Sequence, residues 1–367
     1  MAQQTKRAAS CLFKEGVFMP QLIGVAGAVP EYSVDQVTAR EFSRAHFSGR
    51  LPRLSQRLQV FDNSGIRRRY FVRPITWFSS AHTLGEVSAI YGEEATRLAA
   101  RACRKVLQQT QTNPDDISYI IYVNTTGLAT PSVDALLINA LDLPRETRRT
   151  PVWGLGCAGG VAGLSLAFHH ALGHPADRVL VVSVELCGLT FLSEDYSQSN
   201  FIATALFGDG AAAALVVGDE VVSEGKVMLG THSWLYPDSL GVMGWHVLAD
   251  GLQVVFSKRI PTIIRSSAAD QLSRLLRNHK VERREVSAYL YHPGGRRVLE
   301  AYQHAYGVGE GLFRHSWSVL RDYGNMSSAT VFFVLEHLFN GSPTPPGVGV
   351  VSSLGPGFSS ESILLNT

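Results

Sequence analysis

Short unbroken apolar runs alternate along the chain with longer stretches in which apolar residues recur every three or four positions. Ile117 to Asn124 (ISYIIYVN) and Arg178 to Glu185 (RVLVVSVE) are apolar at consecutive positions, the pattern of strands covered on both faces. Ala211 to Val217, Val286 to Tyr291 and Gly347 to Ser353 repeat it, and Pro151 to Gly156 is a shorter version. Between them lie helix-length segments: Glu93 to Gln109, with apolar residues at i, i+3 and i+4, then Val161 to Leu172, Arg297 to Tyr306 and Ser328 to Leu338. Strands alternating with helices predict an α/β protein. Gln21 to Val29 predicts a first core strand, and Ser33 stands at capping-box spacing from Gln36 before a helix. A polar, acidic stretch from Gly218 to Gly225 divides the chain into two halves, residues 1–220 and 221–367, each with a strand–helix–strand core. The letters show no clear repeat between them. Ser342 to Pro346 reads as a surface turn.

Composition narrows the class. With 45% hydrophobic and 17% charged residues the chain can fill a deep core, and its 34 glycines suit tight turns rather than a helical bundle. A net charge of +2 lacks the basic excess of a nucleic-acid-binding protein. The four cysteines, Cys11, Cys103, Cys157 and Cys187, form no CxxC pair and no metal-ligand spacing, which fits a reduced, cytoplasmic setting. Lys6, Arg7 and Lys14 ahead of the apolar Val17 to Val29 imitate an export signal, but Pro20 interrupts that run and a first strand is the better reading. No run is long enough to span a bilayer.

Three junctions between elements carry candidate chemistry. In Trp153-Gly154-Leu155-Gly156-Cys157-Ala158-Gly159-Gly160 a cysteine stands between a strand and a helix. Free N–H groups and the helix dipole there favour a thiolate, and the same N–H groups can form an oxyanion hole. The letters GLGCAG also satisfy the dinucleotide-binding pattern GxGxxG, and a buried cysteine is often only a small hydrophobe, so three readings stand side by side. Tyr291-His292-Pro293-Gly294-Gly295 ends a buried strand, where ligands sit in α/β folds. His169, His170, His304, His315 and His337 read as helix, surface or capping residues. Tyr323-Gly324-Asn325 precedes an apolar helix; taken alone Asn325 is a cap. Together, Cys157, His292 and Asn325 make a coherent set: an activated thiol for acyl transfer, and two N–H donors for a thioester oxygen that gains enolate charge. Such chemistry requires no metal or redox cofactor.

With WGLGCAGG, ALFGDGAAAAL (Ala205 to Leu215), YHPGG, YGNMSSAT (Tyr323 to Thr330) and LGPGFSSE (Leu354 to Glu361) in this order, the chain resembles the type III polyketide synthases, the chalcone synthase family, from about Leu22 to its end. The resemblance implies a homodimer of thiolase-fold subunits, two similar α/β halves with helices sandwiched between mixed sheets. It implies that Cys157 takes an acyl starter from coenzyme A while His292 and Asn325 support decarboxylation of malonyl-CoA, with no cofactor beyond the CoA thioesters. Phe207 matches the family's gatekeeping phenylalanine. Thr125, Cys187 and Ser327 match cavity-lining positions, with Thr190 beside them. The second gatekeeper falls on Val254 by counting back from Ile260-Pro261, though strand alternation puts Phe256 on the same face. The family's Gly-Phe-Gly-Pro-Gly loop is here Ser353-Leu354-Gly355-Pro356-Gly357, which makes Gly355 and Pro356 pocket candidates. Arg50, Arg53 and Arg57, at helical spacing, and the run Arg67-Arg68-Arg69 are candidates for the CoA phosphates, or a solvated charged face. ELCGLTF (Glu185 to Phe191), SNFIATALFGDG and VMGWHV look most like bacterial alkylpyrone synthases, which implies fatty acyl-CoA starters and alkylpyrone or alkylresorcinol products. The alternatives are a short-starter synthase making a small aromatic, a condensing enzyme like ketoacyl-ACP synthase III, a dinucleotide-binding protein, and a non-catalytic acyl-CoA carrier.

Overall fold

The computed structural model describes residues 19–341 and 343–367. Cys11 and the basic residues of the signal-like segment lie outside the described residues, as does Ser342 of the expected turn. The described chain forms β1 (Gln21–Ala28), β2 (Tyr32–Asp35), β3 (Arg68–Phe71), β4 (Tyr119–Asn124), β5 (Arg148–Trp153), β6 (Arg178–Leu186) and β7 (Asp209–Val217). It continues through β8 (Lys226–Leu235), β9 (Met243–Val247), β10 (Leu252–Phe256), β11 (Val286–Tyr291), β12 (Val348–Gly355) and β13 (Ser359–Asn366).

Nine of these strands form one mixed sheet in the order β11-β12-β13-β8-β1-β7-β6-β4-β5. Its pairing repeats. β4 and β6 are parallel, and so are β11 and β12. β6–β7 and β7–β1 are antiparallel, as are β12–β13 and β13–β8. The four-strand units β4-β6-β7-β1 and β11-β12-β13-β8 therefore share order and sense, a duplication invisible in the letters. β5 extends the outer edge of the first unit, and the units meet where Gln21 and Leu22 of β1 pair with Val227 and Lys226 of β8.

Continuous apolar strands follow from coverage on both faces. Ile121 and Val123 of β4 pack on one side with the helices Gly159–Gly173 and Thr330–Asn340, in a cluster that also draws on β11, β12 and β13. Ile120 and Tyr122 point the other way, against the helix Leu84–Gln109. The second unit has its own outer layer, the helices Ile260–Asn278 and Arg296–Tyr306. The two central helices are thus shared by both units, with sheet and then further helices on either side, the layering expected from the family resemblance. Both central helices bury most of their residues, and their sequences are correspondingly apolar on several faces.

Two local expectations change. The helix Gln36–His46 is capped by Asp35, whose carboxylate accepts the Thr38 N–H at 2.7 Å, while Ser33 belongs to β2. The predicted helix at Glu93 begins at Leu84, behind a reciprocal Thr83–Glu86 capping box.

Candidate active site

Cys157 stands on a single 3-10 turn, Gly156–Ala158, between β5 and the helix Gly159–Gly173, with 7% of its surface exposed. The turn needs its glycine. Gly156 has φ +48°, and a Cβ there would lie 2.6 Å from Pro356 Cδ. Gly355 packs on the same loop, where a Cβ would come within 2.4 Å of Leu155 O. Gly355 and Pro356 therefore shape the cysteine loop from behind, and the cavity wall nearby is built by Ser352, Ser353 and Leu354. Thr125 has a similar role: its hydroxyl accepts the Gly156 N–H at 2.9 Å, and it lines neither of the two cavities described below.

His292 follows β11 directly, and its backbone N–H donates to Ser352 O at 2.8 Å. The imidazole is 5% exposed, and neither ring nitrogen has a hydrogen-bond partner. Asn325 lies between Gly324, at φ +69°, and the turn Ser327–Ala329 that opens the helix Thr330–Asn340. Its amide orientation is fixed by two bonds. Oδ1 accepts the Ser327 N–H at 2.8 Å, and Nδ2 donates to Gly294 O at 3.2 Å, two residues beyond His292. The Cys157 thiol donates toward the same Oδ1, with Sγ at 4.0 Å. One Nδ2 proton of Asn325 remains for a ligand. Cys157, His292 and Asn325 all line one cavity of about 460 Å³.

Burial opposes each charge taken separately. It pushes the Cys157 thiol up to about 12, against the hydrogen bonds of Ser327 and Asn325, and Glu185 adds a nearby negative charge that pushes the same way. It holds His292 down to about 3. A lone thiolate or a lone imidazolium is disfavoured here; ionised together, each charge offsets the other. The helix N-terminus adds its N–H groups on the thiolate side.

Beneath the site is a carboxylate that the sequence reading passed over. Glu185, at the end of β6 and wholly buried, accepts from Thr125 N, Thr126 N and Thr126 Oγ1 on one oxygen at 2.8 to 3.1 Å. Its other oxygen accepts from Ser328 Oγ at 2.5 Å and Ser328 N at 3.4 Å. It thereby ties the loop that braces Gly156 to the turn that follows Asn325.

A second, smaller cavity of about 60 Å³ lies beyond Phe207, with Cys187, Thr190 and Val254 in its wall beside Phe71, Phe78 and Phe191. Phe207 is buried, with its ring 5.5 Å from Phe256 and 6.3 Å from Trp245. Val254 faces the small cavity while Phe256 lines the large one, so successive inward positions of β10 flank Phe207 on its two sides. Backbone bonds join this gate to the site, since Asn325 N donates to Leu206 O and Gly208 N to Asn325 O.

The arginines divide. Arg57 lines the large cavity. Arg50 instead stacks on Tyr196 at 5.0 Å, and Arg53 is exposed, so neither reaches the cavity wall. Of the run, Arg67 pairs with Asp322, and Arg69 is buried with bonds to Thr204 O, Phe207 O and Gln36. The cations that join Arg57 around the cavity are Lys258, Arg296 and Arg297. Arg296-Arg297 directly follows the histidine motif, a signal that was available; Lys258 had none.

Comparison with known proteins agrees along the whole chain. The chalcone and stilbene synthase N-terminal domain matches residues 8–220, and the C-terminal domain of the same description matches residues 228–367. A "Putative chalcone synthase" of Bacillus subtilis is 38% identical over 360 residues, 95% of this chain and 99% of that protein. The 1,3,6,8-tetrahydroxynaphthalene synthase of Streptomyces peucetius is 36% identical, across 84% of this chain and 82% of its own. The crystal structure of the Streptomyces coelicolor 1,3,6,8-tetrahydroxynaphthalene synthase, a bacterial type III polyketide synthase, superposes with a TM-score of 0.90 at 29% identity, covering 94% of this chain and 99% of that one.

Proposed function

The chain belongs to the chalcone and stilbene synthase family, the type III polyketide synthases, and on that premise we propose how its residues divide the reaction and which starter it takes. Enzymes of this family are acyltransferases that condense malonyl-CoA with loss of carbon dioxide. Membership removes the dinucleotide-binding reading of GLGCAG.

Cys157 is the nucleophile. His292 takes the thiol proton, and Sγ attacks the starter thioester carbonyl; CoA leaves as the thiol with that proton. Malonyl-CoA then occupies the large cavity with its thioester oxygen toward a ring N–H of His292 and the free N–H of Asn325. Those donors stabilise the enolate left when the carboxylate departs as carbon dioxide. The enolate carbon attacks the acyl group on Cys157, a carbon–carbon bond forms as the carbon–sulfur bond breaks, and the extended chain is returned to CoA. Asn325 suits this work because it is neutral, where a carboxylate would repel both malonate and enolate. The observation that carries the assignment is Sγ of Cys157 at 4.0 Å from Oδ1 of Asn325, in a cavity shared with His292. Arg57, Lys258, Arg296 and Arg297 bind the CoA phosphates.

The starter is a medium or long fatty acyl-CoA, and the products are alkylpyrones or alkylresorcinols. The small cavity beyond Phe207 is walled by Phe71, Phe78 and Phe191, with Val254, the residue read as the second gatekeeper, also in its wall. A ten-carbon tail buried there contributes about 8 kcal/mol before ordering costs. A second reading, a short-starter synthase making a small aromatic, is favoured by the resting volume of about 60 Å³, which holds only a few carbons until side chains move. The names of the tetrahydroxynaphthalene synthases point the same way. Incubation with malonyl-CoA and acyl-CoAs of graded length, read by mass spectrometry, separates the two. Rates that rise with chain length support the lipid product, and preference for acetyl or malonyl starters rejects it.

A further inference from the structure

The helix that follows the Cys157 turn, Gly159–Gly173, ends at its other terminus in a cluster outside the active site. His170 lies in the last turn, His174 is the C-cap, and Asp177 follows after the turn. One ligand atom from each of the three lies within 4.8 Å of the other two. We propose that His170, His174 and Asp177 form a binding site for a divalent transition-metal ion of borderline softness, Zn²⁺ being the model case.

Four features support the site. Histidines at i and i+4 project from one face of a helix, so both imidazoles reach one ion. His174 Nδ1 donates to His170 O at 3.1 Å, which fixes the tautomer with the Nε2 lone pair outward, the arrangement that a carbonyl partner gives to metal-bound histidine. His170 Nε2 is 2.7 Å from Asp177 Oδ2, a hydrogen bond that already holds imidazole and carboxylate side by side and that would widen to about 3.3 Å around a tetrahedral ion. Finally, the free carbonyls at this helix end carry partial negative charge, which favours a cation.

A cation already attends the cluster. Arg148 Nη1 stands 3.3 Å from His174 Nε2, and the two imidazoles stack at 4.1 Å with 4° between their planes. Metal entry displaces the exposed Arg148 side chain, turns the His174 ring out of the stack, and shifts the His170 ring proton from Nε2 to Nδ1 so that Nε2 can ligate. Arg148 is then a competitor of the metal, a relation that a plain His–Asp ion pair does not predict.

The test is a titration of metal-free, untagged protein with Co²⁺, followed by competition with Zn²⁺. One Co²⁺ per chain is expected, with visible bands of nitrogen and oxygen ligation and no thiolate charge transfer. His174→Ala should weaken binding at least tenfold, with Asp177→Asn as an independent check of the same site. Arg148→Gln should strengthen it several-fold. Zn²⁺ should raise the melting temperature of the wild type and not of His174→Ala. Affinity unchanged in His174→Ala, a thiolate spectrum, or no saturable binding below about 1 mM overturns the proposal.

Discussion

At the scale of single residues, the question is how a thiol buried this deeply reacts at all. Burial, with the Glu185 charge adding to it, pushes Cys157 up to about 12, and burial holds His292 down to about 3, so reactivity near neutrality has to come from the two ionising as a pair. His292→Ala removes the partner and leaves the burial. Alkylation of the resting enzyme by iodoacetamide should then slow by roughly 100-fold or more at pH 7 and keep climbing with pH into the alkaline range. A profile that matches the wild type means that His292 does not ionise Cys157. The glycine before the cysteine is as demanding. Gly156→Ala places a methyl group at φ +48° and 2.6 Å from Pro356 Cδ, so it should lower stability by about 1–3 kcal/mol and displace Sγ enough to cut turnover, read by thermal melting and product formation. Cys157, His292 and Asn325 were legible because each stands where an apolar run meets a glycine-containing turn, a local signature. Arg69 and Thr125 were not. Whether an arginine is buried and bonded to Phe207 O, or a threonine hydroxyl holds Gly156 rather than a ligand, depends on chain segments far away in sequence.

At the scale of elements, the strands that read clearly are those covered on both faces, such as β6 and β7, whose burial makes consecutive positions apolar. The ribbon β2–β3 and the hairpin β9–β10 were missed because they are short and only partly buried, leaving no run to see. That hairpin matters, since it carries Val254 and Phe256 to the gate. Glu185 was missed for another reason: a carboxylate closing an apolar strand looks like the strand's exit to solvent, yet it is the clamp between the β4 loop and the Asn325 turn. Glu185→Gln keeps the shape while turning an amide N–H₂ toward donors on one side. It should cost about 1–3 kcal/mol of stability. The same change deletes the negative charge that raises the Cys157 thiol, so alkylation at neutral pH should become faster even as the melting temperature falls. Slower alkylation with lower stability would reduce Glu185 to a purely structural clamp.

At the scale of the molecule, the repeated strand order gives the site its symmetry. The helix after Cys157 precedes β6 as the helix after Asn325 precedes β12, so Cys157 and Asn325 occupy equivalent places in the two units. The nine-stranded sheet leaves its two edges in different states. At β11 the outer edge is closed at its last residue: Tyr291 N donates to Ser316 Oγ at 3.1 Å, and that hydroxyl donates to Tyr291 O at 2.7 Å. β5 has no such cover among the described residues. Its side chains are exposed or half-buried, and Trp153 is 46% exposed. The helix that follows adds Leu166 and Leu172 at 43% and 46% exposure. An open edge with an apolar end of this kind is a template for pairing with another strand. Two copies of β5 meeting antiparallel across a twofold axis would satisfy both edges with one self-complementary contact. Sedimentation should therefore find a dimer. Val152→Asp with Trp153→Asp should give a monomer of unchanged far-ultraviolet spectrum, because like charges would face each other across the axis. A dimer that survives both substitutions would place the contact elsewhere on the surface.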